Sequence, residues 1–150
     1  MGKQEANDDI SKMLSETGYS DKAIEYFLRK ESIGVIEDAD QVTDVTGPCG
    51  DTMKISLNID GDKISDAKMQ VLGCPGAVAS GCAVANLAKG RSLEEAGQIN
   101  LEELYGELEK LPEQKIHCAR LAIRTLKKAL EAYQQKGQTK AVSKDRGGNL

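Results

Sequence analysis

The sequence predicts an α+β fold, and three observations carry it. Met53, Ile55, Leu57 and Ile59 alternate with Lys54, Ser56, Asn58 and Asp60, the period of two of a strand with one wet face. Asp60-Gly61 follows as a tight-turn signal, and a return strand over about Lys63–Leu72 brings Ile64, Met69 and Val71 inward. Beyond Cys74 the pattern becomes helical and stays so, and a chain whose strands precede its helices belongs to the α+β class.

Each element has a local reason. Residues 1–18 form a polar extension in which Ile10, Met13 and Leu14 make one weak helical face, expected to fray. Ser20 is an N-cap for a helix over Asp21–Arg29, with Asp21 favourable in its first turn. Ala23, Ile24, Phe27 and Leu28 make its buried stripe. Two strands alone are marginal, so a third is expected within residues 33–46. Ile33-Gly34-Val35-Ile36 reads as its start, with Val42 and Val45 as inward points. Pro75 suits the first position of a helix capped by Cys74, and Ala77–Lys89 is an Ala-rich buried run closed by Gly90. Ser92 with Glu95 and Asn100 with Glu103 open two short helices, the second stopped by Pro112. The last helix begins near His117 or Cys118 and carries the stripe Leu121, Ala122, Leu126, Ala129, Leu130 and Tyr133. The domain is expected over 19–136, with a disordered tail over 137–150.

Composition narrows the function. A length of 150 residues suits one domain, and with Phe27 the only Phe and no Trp its core must be aliphatic. A net charge of −4 argues against non-specific nucleic-acid binding. The chain lacks the roughly 20-residue apolar run of a membrane span and opens on no charged-then-apolar leader, so it reads as cytoplasmic. Thiols stay reduced there, and four cysteines then point to metal or sulfur chemistry rather than disulfides.

Three stretches concentrate that chemistry: Pro48-Cys49-Gly50-Asp51, Gly73-Cys74-Pro75-Gly76 and Lys115-Ile116-His117-Cys118. They offer three thiols, a carboxylate and the sole imidazole, the donor types that zinc and iron take, and we expect them to converge on one metal site. Cys74 and Cys118 both fall near helix starts, where the dipole favours a thiolate. Asp51 serves either its turn or the site. Cys82, about 12 Å further along the helix from Cys74, reads as core packing. Absence of Cys-x-x-Cys argues against a zinc ribbon or thioredoxin-type motif, and no phosphate-binding glycine loop is present.

The segments Tyr19-Ser20-Asp21-Lys22, Gly34-Val35-Ile36-Glu37-Asp38-Ala39-Asp40, Cys49-Gly50-Asp51-Thr52-Met53-Lys54, Ile64-Ser65-Asp66-Ala67-Lys68, Gly73-Cys74 and Lys115-Ile116-His117-Cys118 occur in this order. Over about residues 19–134 they make the chain resemble the iron–sulfur cluster assembly scaffold family, IscU and the N-terminal part of NifU. The resemblance implies a three-stranded antiparallel sheet packed by helices on one face. It implies metal ligands at Cys49, Cys74 and Cys118, with Asp51 and His117 as exchangeable partners, and Lys115 beside them. Cys118 is its persulfide acceptor candidate. The implied function is a scaffold, not an enzyme, that takes sulfur from a cysteine desulfurase, builds a transient 2Fe-2S cluster with iron and passes it to apo-proteins. Zinc can occupy the same site. Ferredoxin and an Hsp70/J-protein chaperone pair are further implied partners, although Glu113 and Gln114 replace the central Pro-Val of the family's chaperone motif. Tyr19 is similar to a family tyrosine linked to self-association, which implies a homodimer; no nucleic-acid or membrane partner is implied. The competing reading is a zinc-dependent sulfur acceptor that stimulates a desulfurase without building a cluster. The presence of His117, and a Cys74–Cys118 spacing of 44 positions, weigh for the scaffold.

Overall fold

This computed structural model describes residues 3–48 and 50–145, with side chains over 7–48 and 50–136. Its elements are α1 (Lys3–Glu16), α2 (Asp21–Arg29), β1 (Gln41–Thr46), β2 (Thr52–Asp60), β3 (Lys63–Leu72), α3 (Pro75–Ala88), α4 (Leu93–Gly97), α5 (Leu101–Leu108), a 3-10 turn (Glu113–Lys115) and α6 (Ile116–Asp145). The strands form one antiparallel sheet in the order β1-β2-β3, as expected. Helices α3 and α6 cover its inner face, where Val45, Met53, Ile55, Leu57, Ile64, Ala67 and Met69 are buried. No helix among the described residues is long and apolar enough to cross a membrane.

The hairpin turns at Gly61-Asp62, where Gly61 takes φ 68, a left-handed conformation that glycine adopts without strain. Ile64 and Met69 are an odd number of residues apart, so a regular strand would send them to opposite faces. A bulge resolves this. Asn58 pairs with Asp66 but Ile59 pairs with Ile64, which leaves Ser65 as an extra residue on β3 and returns Ile64 to the core side.

The third strand is shorter than expected. β1 begins at Gln41, and Ile33 makes only a single parallel bridge to Met69. The Met69 N–H donates to Ser32 O (2.7 Å) and the Gly34 N–H donates to Met69 O (3.0 Å), so this segment covers the outer edge of β3 instead of starting a strand. Val45 points inward but Val42 is exposed; three positions apart on a strand, the two cannot share a face, and Gln41 is buried in its place.

The N-terminal stretch is also more regular than expected. α1 is a helix of 14 residues that buries Leu14 and packs Ile10 against the core, while Met13 lies outside that stripe. It stops at Gly18, whose φ of 105 suits the position after a helix, and the Tyr19 N–H returns to Leu14 O (3.1 Å). At the other end α6 runs on to Asp145, past the expected boundary at 136. Gly137 costs such a helix only about 1 kcal/mol, too little to break it among good helix formers.

Helix α3 lies between the sheet and α2 with α5, and its closeness to the sheet depends on Gly81. A Cβ there would sit 2.9 Å from Val71 Cγ2 and 3.0 Å from Met69 Cγ. The helix propensity lost to glycine, about 1 kcal/mol, is smaller than the strain of overpacking, about 1–3 kcal/mol, so close approach wins. Gly81→Val is therefore expected to lower stability by about 1–3 kcal/mol, read as a lower urea midpoint at unchanged slope. An unchanged midpoint would contradict this packing.

Candidate metal centre

The centre forms where three chain segments end together. Antiparallel pairing sets Thr46 against Thr52 and Thr52 against Leu72, so the β1–β2 connection and the exit from β3 lie at one end of the sheet. Gly73 then leads into Cys74, which has the extended backbone of an N-cap (φ −79, ψ 172), with Pro75 at the first helical position. The thiol gives no side-chain capping bond to the helix. Cys118 enters from the first turn of α6, fully buried, and its Sγ lies 3.6 Å from Cys74 Sγ. Asp51 comes from the β1–β2 connection, held by the Gly47 N–H on its carbonyl (2.8 Å). Asp51 Oδ2 lies 3.8 Å from Cys118 Sγ, and His117 Nε2 lies 3.6 Å from the same sulfur. The ligand atoms of Asp51, His117 and Cys118 all fall within 4.8 Å of one another, close enough to share an ion. Cys49, the third expected thiol, lies outside the described residues.

Gly73 and Gly76, which the sequence offers only as flanks of Cys74-Pro75, make the approach possible. A Cβ on Gly73 would lie 2.9 Å from Asp51 Cγ and 3.1 Å from Ala77 Cβ, so any larger residue displaces the carboxylate. A Cβ on Gly76 would lie 3.2 Å from both the Tyr19 hydroxyl and Lys115 Cβ, which pack over the first turn of α3. Both glycines flank Cys74-Pro75, and that pairing was the available signal. Tyr19 itself is buried, its hydroxyl turned to α3 rather than to an outer surface.

The two thiols titrate as a pair. A hydrogen bond from Cys118 is the main cause holding Cys74 below the usual thiol range. Burial opposes it, while the Ala77 and Gly76 N–H groups at the helix start and the Lys115 ammonium assist. Cys118 is pushed up, first by that same hydrogen bond, then by burial and by the charges of Cys74 and Asp51. The pair thus shares one proton and presents one thiolate between its two sulfurs. Lys115 is raised chiefly by the Cys74 charge. Tyr19 is raised by burial and then by the Cys74 charge, so it stays a hydroxyl.

Cys82 is elsewhere. It is buried on α3 and lines a cavity of about 170 Å³ with Tyr26, Ser32, Asn86 and Glu107, where burial pushes its thiol up to about 11. A thiol so hard to ionise is inert, in keeping with the expected packing role.

Residues 18–140 match the family model described as NifU-like N terminal domain. The chain is 40% identical over 119 residues to iron–sulfur cluster assembly scaffold protein IscU 1 of Archaeoglobus fulgidus, covering 79% of this chain and 78% of that one. It is 35% identical over 131 residues to a Drosophila melanogaster protein named iron–sulfur cluster assembly enzyme IscU, covering 83% and 84%. A solved structure from Fervidobacterium islandicum, described as a candidate iron–sulfur cluster assembly scaffold for the SUF system, superimposes with a TM-score of 0.65 at 25% identity, over 75% of this chain and 96% of that one.

The ranking of causes at Cys74 can be checked directly. In metal-free protein, Cys118→Ser is expected to raise the pH at which Cys74 becomes alkylated, and Lys115→Met to raise it less. Mass spectrometry of iodoacetamide adducts across a pH series measures both. A larger shift in the Lys115 variant, or none in either, would contradict the shared-proton description.

Proposed function

The chain belongs to the family of NifU-like N-terminal domains, and from that membership we propose that its thiol centre is where an iron–sulfur cluster is assembled and then handed on. The protein is an iron–sulfur cluster assembly scaffold. The observation that carries the site assignment is the meeting of Cys74, Cys118, Asp51 and His117 at one end of the sheet.

In this reading the cluster is cargo. Cys49, Cys74 and Cys118 supply sulfur ligands, and Asp51 and His117 exchange as the fourth. Oxygen or nitrogen binds iron less firmly than a fourth thiolate would, which suits a carrier that must let go. Cys118 passes its proton to Cys74 across their 3.6 Å contact and attacks the outer sulfur of a persulfide carried by a cysteine desulfurase. The donor's sulfur–sulfur bond breaks, the desulfurase cysteine leaves as its thiolate, and Cys118 then carries the persulfide. Release of sulfide from that persulfide consumes two electrons and a proton, with a ferredoxin as the electron source. Lys115, beside the Cys74 thiolate, balances its charge while the site is empty of metal. The protein turns over no substrate of its own here; it holds and transfers. Free thiols at the centre fit a reducing compartment such as the cytoplasm. A chaperone reading the stretch Leu111–Lys115 would meet Glu113 and Gln114, since Leu111 and Pro112 are buried.

Anaerobic incubation with iron, cysteine and a desulfurase tests the proposal. The expected result is visible absorption with sulfide and iron in equal amounts, followed by transfer to an apo-ferredoxin. A colourless protein holding one zinc would overturn it in favour of the zinc-dependent acceptor. Removing the hard ligand gives a second check. Asp51→Ala is expected to lengthen the half-life of the bound cluster several-fold, and equal half-lives in variant and wild type would count against Asp51 as a labile ligand.

A further inference from the structure

The outer face of α6 carries Arg120, Arg124, Lys127 and Lys128, all exposed. Together with Asn100, Leu101 and Ile123 they line an open groove of about 530 Å³ between α6 and the start of α5. Leu101 and Ile123 give this groove an apolar floor, half-buried and buried respectively. Among the described residues none of the four cations makes an ion pair. A single carboxylate, Glu131, shares the groove. The groove is therefore strongly positive on a chain whose net charge is −4.

Solvated lysines and arginines normally scatter among acidic neighbours, and here they do not. Positions 120, 124, 127 and 128 follow the spacing of one helix face, so the charges form a stripe about 12 Å long. The stripe begins two residues after Cys118 but on the opposite, exposed face of α6, and it runs away from the thiol centre. We propose that this groove docks an acidic, amphipathic segment of a partner protein, its carboxylates on the stripe and its apolar side chains on Leu101 and Ile123. Complementary charge at such a rim raises the rate of encounter and fixes orientation, more than it adds affinity. The proposal stands apart from cluster chemistry, because the groove contains no residue of the centre.

Metal-free full-length protein, titrated with a synthetic amphipathic helix bearing Glu on one face and Leu on the other, provides the test. Binding is read by fluorescence anisotropy, and the footprint by amide chemical shifts. The expected result is binding that weakens as salt rises, with shifts centred on residues 100–101 and 120–131. The double charge reversal Arg124→Glu with Lys128→Glu is expected to weaken it about tenfold or more. Arg124→Gln with Lys128→Gln is expected to give an intermediate loss, and circular dichroism reports whether either variant remains folded. Equal binding by wild type and the folded glutamine variant would overturn the proposal. So would a footprint elsewhere, or tighter binding of duplex DNA or phosphatidylserine vesicles than of the peptide.

Discussion

The meeting of two helix N-termini at the Cys74–Cys118 contact is the constraint on which the rest of this structure depends. The sulfurs sit 3.6 Å apart although 44 positions of chain separate them. Nothing local to either cysteine could arrange that. Helix α3 must press closely on β3, which Gly81 permits, and α6 must lie along β1 and α3 with Cys118 at its buried start. The hairpin register then brings Asp51 to the same end of the sheet, where Gly73 leaves room for its carboxylate. The fold is in this sense a frame that delivers four donors from three separate segments to one place.

Electrostatics sets the thiols of the centre apart from Cys82. Burial by itself would raise both thiols, as it raises Cys82. At the centre a partner thiol, backbone N–H groups at the start of α3 and the Lys115 ammonium reverse that tendency for Cys74 alone. One sulfur becomes a thiolate at the expense of its neighbour, and the two share a proton across a 3.6 Å contact.

Much of this was legible in the sequence. The alternation through Met53–Asp60, the Asp60-Gly61 signal and the Ser92–Glu95 capping box are local, and each behaves as its local chemistry dictates. The pairing of Cys74 with Cys118 and His117 was legible because the sequence holds only four Cys and one His. What stayed hidden was set by tertiary contact. The bulge at Ser65 appears only once Ile64 and Met69 are both required inside. Residues 33–36 have strand composition, yet Ile33 meets only the outer edge of β3. The 14-residue α1 gains its order from seating Ile10 and Leu14 on the core, which a mostly polar stretch does not announce. Gly73 and Gly76 matter for what approaches them, and no pattern in the chain names those visitors.

The claim that Cys74 and Cys118 serve one centre is open to a direct measurement. Metal-free protein titrated with cobalt(II) under anaerobic conditions reports thiolate ligation through its sulfur-to-metal charge-transfer absorption. One cobalt per chain is expected, with that absorption falling in Cys74→Ser and falling again when Cys118→Ser is added. A spectrum that either single substitution leaves unchanged would mean that the two sulfurs do not share a metal.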